Sequence, residues 1–171
     1  MGLPNWTDEG LLPQGIHSAA MPDVYERFVC DAPHREHREM LYGALATYLR
    51  LLRRLVSSGR AWINGGFCTQ KATEPHDVDV VLHPADWAAL EALDERDQTD
   101  LLGLLTHQDI IVGSMNPPQW WARLQPVGGA LDAFLCYPGQ EDMWYRTWSS
   151  VKGPDDRIVP GAVKGFVEVS W

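Results

Sequence analysis

The sequence predicts an α/β (α+β) fold, a mixed β-sheet of about five strands covered by helices. Three observations carry that expectation. One long stretch, residues 36–57, repeats its apolar side chains with helical period. Several shorter apolar runs, rich in Val and Ile, are bounded by Gly, Pro and Asp as strands are. Strand-like and helix-like stretches then interleave along the chain, the order expected of a sheet with helices packed over it.

Residues 1–20 read as an irregular N-terminal arm, because Pro4, Gly10, Pro13 and Gly15 interrupt any period. Met21-Pro22-Asp23 places proline and an acid at the start of a short helix over 22–30. In the helix over 36–57, Leu41, Leu45, Tyr48, Leu52 and Leu55 recur at steps of four and three and so share one stripe. Arg50, Arg53 and Arg54 lie off that stripe, and Gly59 is expected to close the helix. A strand over 61–64, a polar loop and a strand over 77–82 follow. His83-Pro84-Ala85-Asp86 opens another helix, and a further helix precedes His107. Further strands are expected over 109–112, 130–137 and 165–171, with turns at Asn116-Pro117-Pro118 and Gly128-Gly129. No repeat divides the chain, so residues 1–171 read as a single domain.

Composition narrows the function classes. Hydrophobic residues make up 45% and charged residues 22%, a globular balance. No apolar run reaches the roughly 20 residues that span a bilayer, and the first residues lack the basic start and apolar core of a secretion signal. A cytoplasmic protein with no membrane partner is expected. Cys30, Cys68 and Cys136 are too scattered for a disulfide framework or a zinc knuckle and read as small core residues. The net charge of −9 argues against a long phosphate backbone as partner, since such binding needs Lys and Arg to displace counterions. Seven of the fourteen basic residues nevertheless fall between Arg27 and Arg60. The aromatic pairs Trp120-Trp121 and Trp144, Tyr145 and Trp148 suit core packing or a partner surface, with base stacking as the rival role.

The stretch WINGGFCTQKATEPHDVDVVL, residues 62–82, poses the chemical question. Strand side chains alternate faces, so Asp77 and Asp79 point one way while Val78 and Val80 point the other. Two neighbouring carboxylates repel, and burial adds a desolvation cost, so they need solvent, cations or a metal. The run LDAFLC, residues 131–136, repeats the oddity with Asp132. If the two strands are neighbours, Asp77, Asp79 and Asp132 converge, and three carboxylates suit Mg²⁺ or Mn²⁺ with room for substrate phosphates. Two such ions can clamp the attacking and leaving oxygens of a phosphoryl or nucleotidyl displacement. Gly65-Gly66 after a strand lets backbone amides approach phosphate oxygens, and Lys71 adds a positive charge.

Ile63-Asn64-Gly65-Gly66 followed by Asp77-Val78-Asp79-Val80 resembles the signature of the DNA-polymerase-β-like nucleotidyltransferase superfamily, and Asp132 matches its separate third carboxylate. The nearest likeness is to small stand-alone bacterial members, which begin with a stretch similar to GLLPQGIH and close with one similar to VKGFVEV. The resemblance implies the polymerase-β-like fold and transfer of a nucleoside monophosphate from an NTP to an acceptor hydroxyl, releasing pyrophosphate. By the same resemblance Asp77 and Asp79 would bind both metals. Asp132 would hold the catalytic one and orient or deprotonate the hydroxyl, while Gly65 and Gly66 hold the triphosphate. Many active members carry Ser where this chain has Gly66, which removes one phosphate contact. The acceptor is open between a protein, a small molecule and RNA, and a separate helical partner protein is implied by resemblance alone. The rival expectation is a non-catalytic binding or regulatory protein on the same fold, such as a toxin–antitoxin-like partner. Neither a serine-hydrolase elbow nor a P-loop is present, and His17, His34, His37, His76, His83 and His107 show no metal-ligand spacing.

Overall fold

The computed structural model describes residues 2–107, 124–153, 155 and 157–171. The expected strand over 109–112, the turn at Asn116-Pro117-Pro118 and the pair Trp120-Trp121 lie outside the described residues. The elements run β1 (Ile16–Ser18), α1 (Met21–Tyr25) continuing into a π-helical turn (Glu26–Cys30), α2 (Arg35–Leu55), β2 (Gly59–Asn64), β3 (Val78–Pro84), α3 (Trp87–Glu91) and α4 (Glu95–Leu102). They continue with β4 (Leu131–Leu135), α5 (Glu141–Ser149), β5 (Ser150–Lys152), β6 (Ile158–Val163) and β7 (Phe166–Ser170). Among the described residues no helix is long and apolar enough to cross a membrane.

Five strands form one mixed sheet in the order β1-β7-β2-β3-β4, and β5 pairs with β6 in a separate two-stranded ribbon. Strand β2 is antiparallel to both β3 and β7, while β3 with β4 and β1 with β7 run parallel. The architecture is thus α+β with a five-stranded mixed sheet, as the interleaved pattern predicts. The arm is less irregular than expected, because residues 16–18 join the sheet edge beside β7. Three residues are too few to display an alternation, so this strand exists by virtue of its partner. The backbone there is crowded: a Cβ on Gly165 would fall 2.7 Å from His17 Nε2 and 3.0 Å from the Gly15 carbonyl. The terminal stretches GLLPQGIH and VKGFVEV therefore meet, with the Gly165 amide donating to Leu12 and that of Phe166 to Gly15.

Period-two alternation assigns each strand a face to each of two cores. Ala61, Ile63, Val78, Val80, Leu82, Leu131, Ala133 and Val167 pack against the α2 stripe of Leu41, Leu45, Tyr48 and Leu52. Leu55 only packs at the edge of this core. On the opposite face Trp62, Val81, Cys136 and Phe166 meet Trp148, with Trp144 and Tyr145 alongside. These aromatics occupy α5, which the sequence reading left unassigned, and they cross edge-on: Trp148 and Phe166 lie 5.8 Å apart at 90°. They are core side chains. Helix α2 ends at Leu55 with Val56 already extended, so Gly59 is not its cap. Gly59 instead opens β2, where a Cβ would lie 2.9 Å from the His83 carbonyl. Asp86 caps α3 by accepting from the Ala89 amide at 3.0 Å, as its position predicts, whereas His83 and Pro84 belong to β3.

Candidate active site

Sheet register creates the site. Asn64 at the end of β2 stands opposite Asp79 at the start of β3. Asp79 in turn stands opposite Asp132 on β4. Asn64, Asp79 and Asp132 therefore form a row across three adjacent strands, on the face that carries Trp62, Val81 and Phe134. Cα partners on one face bring side chains within contact range, so the convergence of Asp79 and Asp132 across fifty-three positions follows from one parallel ladder. Asp77 comes just before β3 and lines the same cavity as Asp79. Gln125 Nε2 donates to Asp77 Oδ2 at 3.1 Å. Asp132 is buried, 5% exposed, and backs the row.

Crowding of acids has an electrostatic consequence. Burial pushes the Asp79 carboxyl up to about 6, and the neighbouring charges of Asp77 and Asp132 add to the shift. Lys164 and Lys152 oppose it. Lys164, in the turn between β6 and β7, is itself held below the ordinary lysine range by burial, against the favourable charge of Asp79. Its backbone amide donates to the Ser149 carbonyl at 2.9 Å, which ties the turn to the end of α5.

Gly65 joins β2 to a 3-10 turn (Gly66–Cys68) in a conformation, φ 85 and ψ −165, that is essentially open only to glycine. A Cβ at this position would strike Asp79 Oδ2. The first glycine is thus required by its backbone and by the acid seated against it. Gly66 is different: a Cβ there meets only Pro75 Cβ at 3.5 Å, an ordinary contact.

These groups border a cavity of about 370 Å³ between the sheet row, the 65–77 loop and the β5–β6 ribbon. Gly65, Gly66, Lys71, Asp77 and Asp79 all line it together with Asn64, whereas Asp132 is not among the lining residues. Asn64 Nδ2 donates to the Trp148 carbonyl at 3.0 Å and so docks the end of α5 beside the row. The sequence reading missed Lys152 and Lys164. A signal was available, for the chain contains three lysines, Lys71, Lys152 and Lys164, and all three line this cavity. Lys71 Nζ reaches the Lys152 carbonyl at 3.3 Å, bridging the loop to the ribbon.

Among the described residues no group of three or more His, Cys, Asp or Glu side chains is arranged to hold a metal by itself. Adjacent carboxylates beside an open, lysine-lined cavity do match a hard cation that takes one or two protein oxygens and completes its shell with water and phosphate. Carboxylates and ammonium groups around one cavity can together bind a metal-polyphosphate where neither set alone would.

No curated protein and no solved structure matches the chain. The model of one family does match, over residues 4–170. The chain accordingly belongs to DUF6932, a family of unknown function.

Proposed function

We propose that this protein is a metal-dependent nucleotidyltransferase on a polymerase-β-like fold. It would move a nucleoside monophosphate from an NTP to an acceptor hydroxyl and release pyrophosphate. One observation carries the reading: Asp79, register-matched to the buried Asp132, lines a cavity together with every lysine of the chain. The resemblance of Ile63–Gly66 and Asp77–Val80 to the superfamily signature points the same way.

In this reading Asp77, Asp79 and Asp132 hold Mg²⁺ or Mn²⁺, two ions in the full complex, together with phosphate oxygens of the NTP. Bound there, the metal supplies charge neutralisation on the transferring phosphoryl group. The chain's own groups do the rest. Lys71, Lys152 and Lys164 draw in the triphosphate, and the Gly65-Gly66 backbone admits it close to the row. The acceptor oxygen bonds to the α-phosphorus as the bond to the bridging oxygen breaks. Pyrophosphate carries away that electron pair, and the hydroxyl proton passes to a carboxylate of the row. The acceptor is a protein, a small molecule or RNA, and a separate helical partner and a cytoplasmic setting remain part of the proposal.

The reading of a non-catalytic binding or regulatory protein draws on the donor count: among the described residues no three His, Cys, Asp or Glu side chains are grouped to hold a metal. Calorimetric titration with Mn²⁺ and each NTP, followed by label transfer from the bound NTP into cell extract, separates the two. The enzyme reading expects Mn²⁺-dependent nucleotide binding and transfer, both lost in Asp79→Asn. Binding without transfer supports the rival, and no binding at all removes the nucleotide from either reading.

A further inference from the structure

The cavity's outer wall is segment 71–77, which lacks regular structure yet contributes Lys71, Thr73, Glu74, His76 and Asp77 to the lining. Most of it is exposed, and such a segment holds one shape only if something outside it does the holding. The holding groups sit at the start of α2. His34 Nε2 donates to the Ala72 carbonyl at 2.6 Å, and His37 Nε2 donates to the Pro75 carbonyl at 2.8 Å. A carbonyl only accepts, so each Nε2 carries a proton. Both Nδ1 atoms face one carboxylate: Glu74 stands 3.8 Å from that of His34 and 3.4 Å from that of His37. Two imidazoles one helical turn apart thus grip both ends of 72–75.

The local backbone is arranged for this grip. His34 occupies the N-cap of α2, and it adopts a left-handed conformation, φ 61 and ψ 44, that non-glycine residues seldom take. Its side chain makes no capping bond to the helix and goes to the loop instead. The next turn of the helix anchors the other half of the site loop. Arg38, fully buried, donates to the carbonyls of Phe28, Phe67 and Thr69, fixing the stretch just after Gly65-Gly66. The start of α2, from His34 to Arg38, therefore holds both halves of the 66–77 loop.

We infer that His34 and His37 are positioning residues that set the distance between the 72–77 wall and the acid row, and so set nucleotide affinity. The inference rests on the nucleotidyltransferase reading. Limited tryptic cleavage after Lys71, which lies in this exposed segment, and Mn²⁺-ATP titration of the full chain test it with His34→Ala, His37→Ala, the double variant and His37→Gln, whose amide can still donate to Pro75. In the double variant cleavage after Lys71 is at least tenfold faster while the thermal transition followed by circular dichroism is kept, and the Kd for Mn²⁺-ATP rises at least tenfold. His37→Gln retains most of the wild-type behaviour in both. Unchanged cleavage in the double variant overturns the strap, and faster cleavage with unchanged affinity overturns its positioning role. Faster cleavage in a protein whose wild-type form takes up no Mn²⁺-ATP retires the nucleotide reading, and with it the positioning role, and leaves only the strap.

Discussion

Asp79 and Asp132 occupy the same register on neighbouring parallel strands, so two carboxylates fifty-three positions apart in the chain share one face of the sheet. Such a pair costs free energy in the unliganded protein, and the charges of Lys164 and Lys152 offset part of it. The consequences can be measured.

Asp79→Asn removes the most strained member of the row. Metal-dependent transfer should fall at least 100-fold, about 3 kcal/mol of transition-state stabilisation. The unliganded protein should melt at the same or a higher temperature, because the amide ends the like-charge repulsion. Parallel thermal melts and label-transfer assays check both halves.

The stability gap between wild type and Asp79→Asn should depend on pH. The folded carboxyl titrates near 6, above the unfolded value of 3.8, so the folded state holds its proton more tightly. The penalty is absent below pH ~4, grows through the interval and is complete above ~6, reaching on the order of 2–3 kcal/mol. Loss of the Lys164 partnership subtracts from the gain. Denaturant melts at pH 4.0 and 7.5 measure the difference. Mn²⁺ affinity should run the opposite way in wild type and weaken as pH falls through 6, because the ion competes with the proton.

Gly65→Ala and Gly66→Ser should behave differently although the residues are adjacent. The first meets both a glycine-only backbone and the Asp79 carboxylate and should destabilise by about 2–3 kcal/mol. The second meets only an ordinary contact with Pro75, and it should fold normally and bind Mn²⁺-ATP at least as tightly as wild type. Chemical denaturation and calorimetry distinguish them.

Lys164→Met should lower Mn²⁺-ATP affinity about tenfold, ~1.4 kcal/mol, while leaving the unliganded fold as stable or more so, because the ammonium is disfavoured by its burial. Titration at two salt concentrations should also show a shallower salt dependence than wild type.

Arg38→Met should be the most destabilising of these changes. It leaves the carbonyls of Pro33, Phe28, Phe67 and Thr69 without their donor, a loss on the order of 3–5 kcal/mol. Circular dichroism under urea reports it directly.

The sequence by itself determined the repeating features. The stripe from Leu41 to Leu52, the alternation that turns Asp79 away from Val78 and Val80, and the strained bend at Gly65 are local, because helical and strand periods act over a few residues. Tertiary structure decided the convergences: Asp132 against Asp79, Ile16–Ser18 against β7, Lys152 and Lys164 across from Lys71, and two histidines of α2 against the 72–75 segment. Each depends on which distant strand or helix becomes a neighbour and at what register. That choice is made by packing the whole core, and no short window of the chain contains it.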